Sequence, residues 1–367
     1  MRARPRFNRW QRLTGVIAVS LGSAACQFIG PNVDDAPLNS LDPQGPFART
    51  IDDLFWPVFW IAVGVFVVVQ GGIIAALVLF RDRPGRKEPK QIHGNAKLEV
   101  LWTVIPALIL AGIAVPTVRT VFELTECDPD AMEVEVIGHQ WWFEFRYSGI
   151  EGMADGEEIH TANVMVIPSG EEVCAVMTAD DVVHNFWVPK LNGKRYLIPG
   201  QETVLRLQAD KPGIYYAHCG EFCGLSHSLM RAHVEAVDRA DFDAWVTAQI
   251  EPAAVPEEGT PEWDGLEVFL GPAGCIQCHA VDFEDNDSGI ASNVLASDAF
   301  NGPDLTHFAS RSVFAGAVLP EQGEEYDDAL KLWLADPPEV KPGSFMPDLQ
   351  LTEAEIDVLI AWLGSLD

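Results

Sequence analysis

The stretch HCGEFCGLSHSLM, residues 218–230, holds two cysteines, two histidines and a methionine within thirteen positions. Thiolate and thioether sulfur favour soft or borderline metals, and imidazole suits copper and zinc. No carboxylate cluster accompanies them to suggest calcium or magnesium. Cys219, Cys223, His227 and Met230 follow one another at steps of four, four and three, and His184, at the end of an earlier strand, is a further candidate ligand. A single zinc is satisfied by two cysteines and two histidines and leaves Met230 unused. A blue-copper site needs one cysteine, so the second is surplus. Two copper ions bridged by both thiolates use the whole set: one imidazole per ion, Met230 on one ion and a backbone carbonyl on the other.

A second motif, CIQCH, places Cys275, Cys278 and His279 in the attachment pattern of a c-type haem, with two thioether links and an adjacent axial imidazole. A zinc half-site or a redox CxxC is the plainer alternative. No second cysteine pair follows, however, and a βαβ context is missing. Downstream, KPGSFMPDL offers Met346 as the sixth ligand, with NGPDL at 301–305 as a companion segment. Methionine opposite histidine raises a haem potential, which suits electron transfer. Residues 261–367 resemble a class I cytochrome c domain, an all-α fold.

These ligands need elements to hold them. Residues 130–237 carry β-branched and aromatic runs separated by turns such as PSGEE, IPGQE and DKPG, the pattern of an antiparallel sandwich or barrel. The copper-type loop falls between its last two strands, IYYAHC and RAHVEAV. EPAAVPEEGTPE reads as a linker. In TEAEIDVLIAWLGSLD, Ile356, Leu359, Ile360 and Leu363 share a helical face behind Thr352, an N-cap candidate with Glu355 three residues on.

Two apolar segments precede the sandwich. Leu54 to Phe80 and Val100 to Val118 carry no charge, and about 20 helical residues cross a bilayer. The loop between them, with Arg81, Arg83, Arg86, Lys87, Lys90 and Lys97, belongs in the cytoplasm by the positive-inside rule. Everything after residue 120 then faces outward, with the exported N-terminus. The first 25 residues have the basic start, short apolar stretch and small residues of a secretory signal. GSAAC also resembles a lipoprotein processing site with Cys26 as the lipid-bearing residue; cleavage after Ala25 gives a similar mature chain. Residues 1–119 carry 13 Lys/Arg against 8 Asp/Glu, and the remainder 11 against 46. That acidic body argues against nucleic acid, and for a basic partner or a plain solvated surface.

LEVLWTVIPALIL at 98–110, GHQWWFEF at 138–145, DDVVHNFWVPKL at 180–191 and CGEFCGLSHSLM at 219–230 together resemble the cytochrome c oxidase subunit II family, in its order, from about residue 50 to 240. The haem segment resembles the c-type extension that some bacterial members carry. The resemblance implies a multidomain membrane protein: signal peptide 1–25, exported segment 26–50, and a two-helix transmembrane hairpin 51–119 with cytoplasmic loop 81–97. A cupredoxin-like Greek-key dicopper domain (120–250), a linker (251–260) and a cytochrome c domain (261–367) would follow. Copper would be held by His184, Cys219, Cys223, His227 and Met230, and by the Glu221 carbonyl. The Glu221 carboxylate would reach a magnesium ion at the subunit I interface. Trp141 would be the point where electrons enter the copper site, and Glu99 the mouth of a proton path. The ordinary alternatives are a core tryptophan and an interfacial carboxylate.

His218 is expected to remain unligated, His139 to make a structural hydrogen bond, and His93, His160, His233 and His307 to be solvated or locally bonded. Cys127 and Cys174 form either one disulfide or two buried thiols. The resemblance implies an electron-input subunit in the bacterial inner membrane. It would receive electrons from a basic cytochrome c or a quinol–cytochrome c reductase. Its haem would pass them to the dicopper centre and so to a catalytic subunit that reduces dioxygen and pumps protons. A membrane nitric oxide reductase with the same copper module, and a stand-alone tethered carrier, are the alternatives.

Overall fold

The computed structural model describes residues 36–81, 84–85, 91, 93–271, 274–283, 293–294, 302–320 and 325–367. The signal segment, Cys26, and Arg83, Arg86, Lys87 and Lys90 of the basic loop lie outside the described residues. Two long helices come first, α1 (Pro46–Leu79) and α2 (Ala96–Glu123). Pro46 at the first helical position costs no hydrogen bond. Asn95 caps α2 by accepting from the Lys97 and Leu98 amides, and Glu99 accepts from the Asn95 amide in return. At 34 and 28 residues the helices reach roughly 51 and 42 Å, more than the ~30 Å of hydrocarbon they would cross. The most apolar windows of both are uncovered by the rest of the chain, unlike a soluble core helix.

Their outer ends are fastened to the domain that follows. Gln44 and Ala48 donate backbone bonds to the carbonyls of Lys190 and Leu191, at 2.7 and 3.0 Å. Arg206 grips Glu172 through two nitrogens, donates to the Glu123 carbonyl at the end of α2, and lies 4.4 Å over the Phe47 ring. Cys127 and Cys174 form a disulfide, which ties the chain leaving α2 to a central strand. Closing a loop of 47 residues contributes about 4 kcal/mol in the chain-entropy account.

That domain is two five-stranded sheets. The first runs β3 (Glu158–Ala162), β2 (Trp142–Ser148), β1 (Met132–His139), β5 (Val173–Ala179), β8 (Thr203–Leu207). The second runs β4 (Val164–Pro168), β10 (Arg231–Val237), β9 (Gly213–Cys219), β6 (His184–Trp187), β7 (Lys194–Leu197). The sandwich is mixed rather than antiparallel: β1 pairs with β5, and β4 with β10, in parallel. Alternate residues of β2, Phe143, Phe145 and Tyr147, point into the core with Val134, Val136 and Phe186. The Tyr147 hydroxyl donates to the Val166 carbonyl and accepts from the Val166 amide, pinning one sheet to the other.

Helix α3 (Arg239–Gln249) packs against the sandwich through Phe242 and Val246. The connecting residues are not free: Ala253 is buried, and its amide donates to the Asp282 carbonyl at 2.8 Å. The last unit contains α4 (Pro261–Leu270), α5 (Tyr326–Ala335), α6 (Pro337–Val340) and α7 (Glu353–Leu363), with a two-residue pairing of β11 (Val281–Asp282) and β12 (Asn293–Val294). Helix α7 begins with the expected Thr352–Glu355 capping box. Gly265 of α4 admits α7 closely, since a Cβ there would meet the Val358 carbonyl at 2.2 Å.

Candidate metal centres

Strand β6 opens on His184, rather than an earlier strand ending there, and β9 ends on Cys219. The loop between β9 and β10 supplies Cys223, His227 on a short 3-10 turn, and Met230. The Cys219 amide donates to the Met230 carbonyl at 3.0 Å, closing the loop on itself. The two sulfurs lie 3.7 Å apart. The His184 Nδ1 is 3.9 Å from Cys219, and the His227 Nδ1 is 3.6 Å from Cys223. Met230 Sδ is 3.9 Å from the Cys223 sulfur, and the Glu221 carbonyl oxygen is 3.2 Å from the Cys219 sulfur. A thiol pair with one imidazole at each end, a thioether on one side and a carbonyl on the other fits two ions sharing both sulfurs. His184, Cys219 and Cys223 are also a group able to hold one ion between them, and all three are buried.

Electrostatics favours metal uptake. Hydrogen bonding with Cys223, against the effect of burial, lowers the Cys219 thiol, while the same contact and burial push Cys223 up. A cation bound at the pair would favour the thiolate form of both sulfurs. Asp181 accepts from His184 Nε2 at 2.8 Å, which turns Nδ1 toward the sulfurs. Burial lowers the His184 imidazole, but the bonds to Asp181 and Cys219 outweigh it and raise it.

The second motif forms a cavity. Cys275 and Cys278, from the turn Cys275–Gln277 and the residue after it, line it with His279 and Met346. Phe269, Leu305 and Leu359 supply apolar walls. His279 Nδ1 donates to the Pro303 carbonyl at 2.8 Å, so Nε2 is left for an axial bond. Burial holds His279 below its ordinary range, in the neutral form that ligates iron. Gly302 explains the NGPDL segment: a Cβ would meet the Cys278 carbonyl at 2.6 Å and His279 Cε1 at 2.9 Å. Two cysteines, a neutral imidazole and a thioether around an apolar slot fit a covalent haem.

Trp141 joins the two sites. Its Nε1 donates to the Cys223 carbonyl at 3.0 Å, and Gln140 Nε2 donates to the same oxygen at 2.6 Å. Its indole stacks on Phe345, with centroids 5.9 Å apart and 17° between planes. Phe345 precedes Met346 in the chain. Trp141 and Trp142 both line the haem cavity, so the copper domain forms part of its wall.

Glu99 is not brought to either site. It caps α2 some 24 residues from the helix's other end, a span of about 36 Å. The Glu221 carboxylate belongs to no group of three metal-capable side chains found among the described residues. His139 and His160 both bond Glu144, and His307 bonds the Asp367 carbonyl at 2.6 Å. Among the described contacts, His233 is buried with no partner for Nδ1. Sequence reasoning missed Asp181, three residues before His184 inside a motif already singled out. It also missed Lys341, Gly343 and Phe345, inside the segment quoted for Met346.

Residues 36–120 match the family described as cytochrome c oxidase subunit II, transmembrane domain, and 132–237 its periplasmic domain; 264–367 match cytochrome c. The chain is 37% identical to cytochrome c oxidase subunit 2 of Alkalihalophilus pseudofirmus, over 90% of this chain and 91% of that one. It is 35% identical to cytochrome c oxidase subunit 2 of Bacillus sp. (strain PS3), over 78% and 80% of the two chains. Among solved structures, the periplasmic domain of subunit II of cytochrome oxidase from Bradyrhizobium japonicum aligns at 26% identity, covering 33% of this chain and 95% of that one, with a TM-score of 0.30. Both domain matches and a relative aligned over nine-tenths of each chain lead to one statement: the chain belongs to the cytochrome c oxidase subunit II family and carries a C-terminal cytochrome c domain.

Proposed function

We propose that this chain is the electron-input subunit of a haem–copper terminal oxidase and receives electrons at its own haem. The observation that carries the reading is the contact sequence Met346–Phe345, Trp141, Cys223, which joins a haem-ligand candidate to a copper-ligand candidate by one ring stack and one hydrogen bond. Cys275, Cys278, His279 and Met346 hold the haem. His184, Cys219, Cys223, His227, Met230 and the Glu221 carbonyl hold the copper pair. When bound, these groups supply one-electron carriers whose chemistry is their own. The protein orients His184 through Asp181 and His279 through Pro303. Its buried Trp141 covers the copper ligands, and the haem unit packs against the sandwich that carries them.

The other oxidase subunits are the partners. As finer points of this proposal, the Glu221 carboxylate would reach a magnesium ion at the interface with subunit I. Glu99 stands at the mouth of a proton path on the opposite membrane face. The donor is a basic cytochrome c or a quinol–cytochrome c reductase attracted to the acidic body, so reduction slows as salt rises.

The test is metal analysis and electron paramagnetic resonance of the full chain, matured with haem and copper. Two coppers per haem, with one unpaired electron shared over both ions, is the expected result. Zinc, or one copper with a localised signal, would overturn it.

A further inference from the structure

Lys341 is an unusual occupant of the junction between the two domains. It is 4% exposed, and its Nζ donates to the carbonyl of Trp141 in the copper domain and, at 3.1 Å, to that of Ala315 in the haem domain. Burial opposes its charge and pushes the ammonium down to about 7. An apolar side chain of similar length would fill the same space at less electrostatic cost. It could not hold a carbonyl.

Two further observations converge on the same place. Alternate residues of one segment touch Trp141: Lys341 on its carbonyl, Gly343 at its ring edge and Phe345 on its face. Gly343 has φ +83°, and a Cβ there would meet Trp141 Cη2 at 2.9 Å. Opposite them, Ala315, Gly316 and Ala317 lie consecutively in the left-handed region, at φ 54°, 77° and 54°. That region is unfavourable for alanine and persists only where the surroundings dictate it. The turn delivers the Ala315 carbonyl to Lys341 and the Gly316 carbonyl to the Arg231 amide of the copper domain at 2.9 Å.

We propose that Lys341 is a positioning residue: with the 315–317 turn it latches the haem domain onto Trp141 and so sets the rate of transfer from haem to copper. The proposal rests on the electron-input reading, and two readouts separate the failure of either. Hydrogen exchange of the full, loaded chain reports the latch, because the Arg231 amide bonds across the junction. Flash-initiated haem-to-copper electron transfer reports the consequence. Lys341→Met is expected to speed Arg231 exchange about tenfold, with strand amides such as Val166 unchanged. It should slow transfer several-fold, since the rate of electron tunnelling falls exponentially as the gap between donor and acceptor widens. Haem absorbance and the copper resonance should stay as in wild type. Lys341→Arg, which keeps the donors, is expected to recover part of both effects. Ser226→Ala removes a neighbouring interdomain bond, from Ser226 Oγ to the Pro342 carbonyl, and should move neither readout as far.

Unchanged Arg231 exchange in Lys341→Met, or an equal response in Ser226→Ala, would overturn the latch. Should Lys341→Met fail to accumulate, Lys341→Gln, shorter but retaining an N–H donor, takes its place with the same two readouts. Absence of haem-to-copper transfer in wild type would instead sink the underlying reading while leaving the exchange result to stand.

Discussion

Asp181 gives the sharpest test of the copper site, because it is not a ligand candidate but bonds one directly. Its carboxylate accepts from His184 Nε2 at 2.8 Å and from the Gln140 and Val182 amides, both at 2.6 Å. Asp181→Asn keeps an acceptor for the imidazole but removes the charge. Asp181→Ala removes both and frees the ring to rotate. Loss of such an outer partner costs metal affinity on the order of 10- to 100-fold, which is about 1.4 to 2.7 kcal/mol. We expect alanine near the upper end and asparagine near the lower. The assay is competition with a chelator for copper in the full chain, with the resonance spectrum recorded at each point. Because Asp181 bonds His184 directly, a variant at Asp181 should also shift that spectrum. If Asp181→Ala binds copper as tightly as wild type, the assignment of His184 as a ligand oriented by Asp181 is wrong.

Gly302→Ala places a Cβ against the Cys278 carbonyl and the His279 ring. It should lower the yield of mature low-spin haem, and an unchanged visible spectrum and potential would refute that. Glu144 is buried, which alone would raise it, yet hydrogen bonds from His139, His160 and Arg146 hold it below the ordinary carboxylate range. His160 is lowered by burial but raised overall by Glu144. The Glu144 contribution is present above its ordinary 4.5 and lost as pH falls through its folded value, and the His160 contribution is present below 6.5 and lost as pH rises through its own. The stability difference between wild type and Glu144→Gln, measured by thermal melting, should therefore be largest between about 4.5 and 6.5. A difference that is flat with pH would contradict the coupling.

Much of this was legible in the residues. Ligand chemistry at fixed short spacing, as in residues 219–230 and CIQCH, survives without knowledge of the fold, because each motif is closed within one loop. The hairpin was equally plain from charge-free length. The parallel pairing of β1 with β5 was not, since it joins strands with three others between them in sequence and leaves no local mark. Lys341 was hidden for a related reason: its partner lies 200 residues away, and an isolated lysine between Val340 and Pro342 reads as solvated surface. The linker was read by its proline and glutamate content, which says nothing of a buried Ala253 bonded to Asp282.

That packed connection has a kinetic meaning. Gln249 bonds Ser310 at 3.1 Å and Ala253 bonds Asp282, so the tether holds the haem domain at one address rather than letting it search. On the proposed route, transfer across Trp141 would then be unimolecular, governed by an effective concentration that dilution of the enzyme does not change. On that route, soluble cytochromes acting as donors would alter how fast the haem is filled. They have no purchase on how fast it empties into the copper domain.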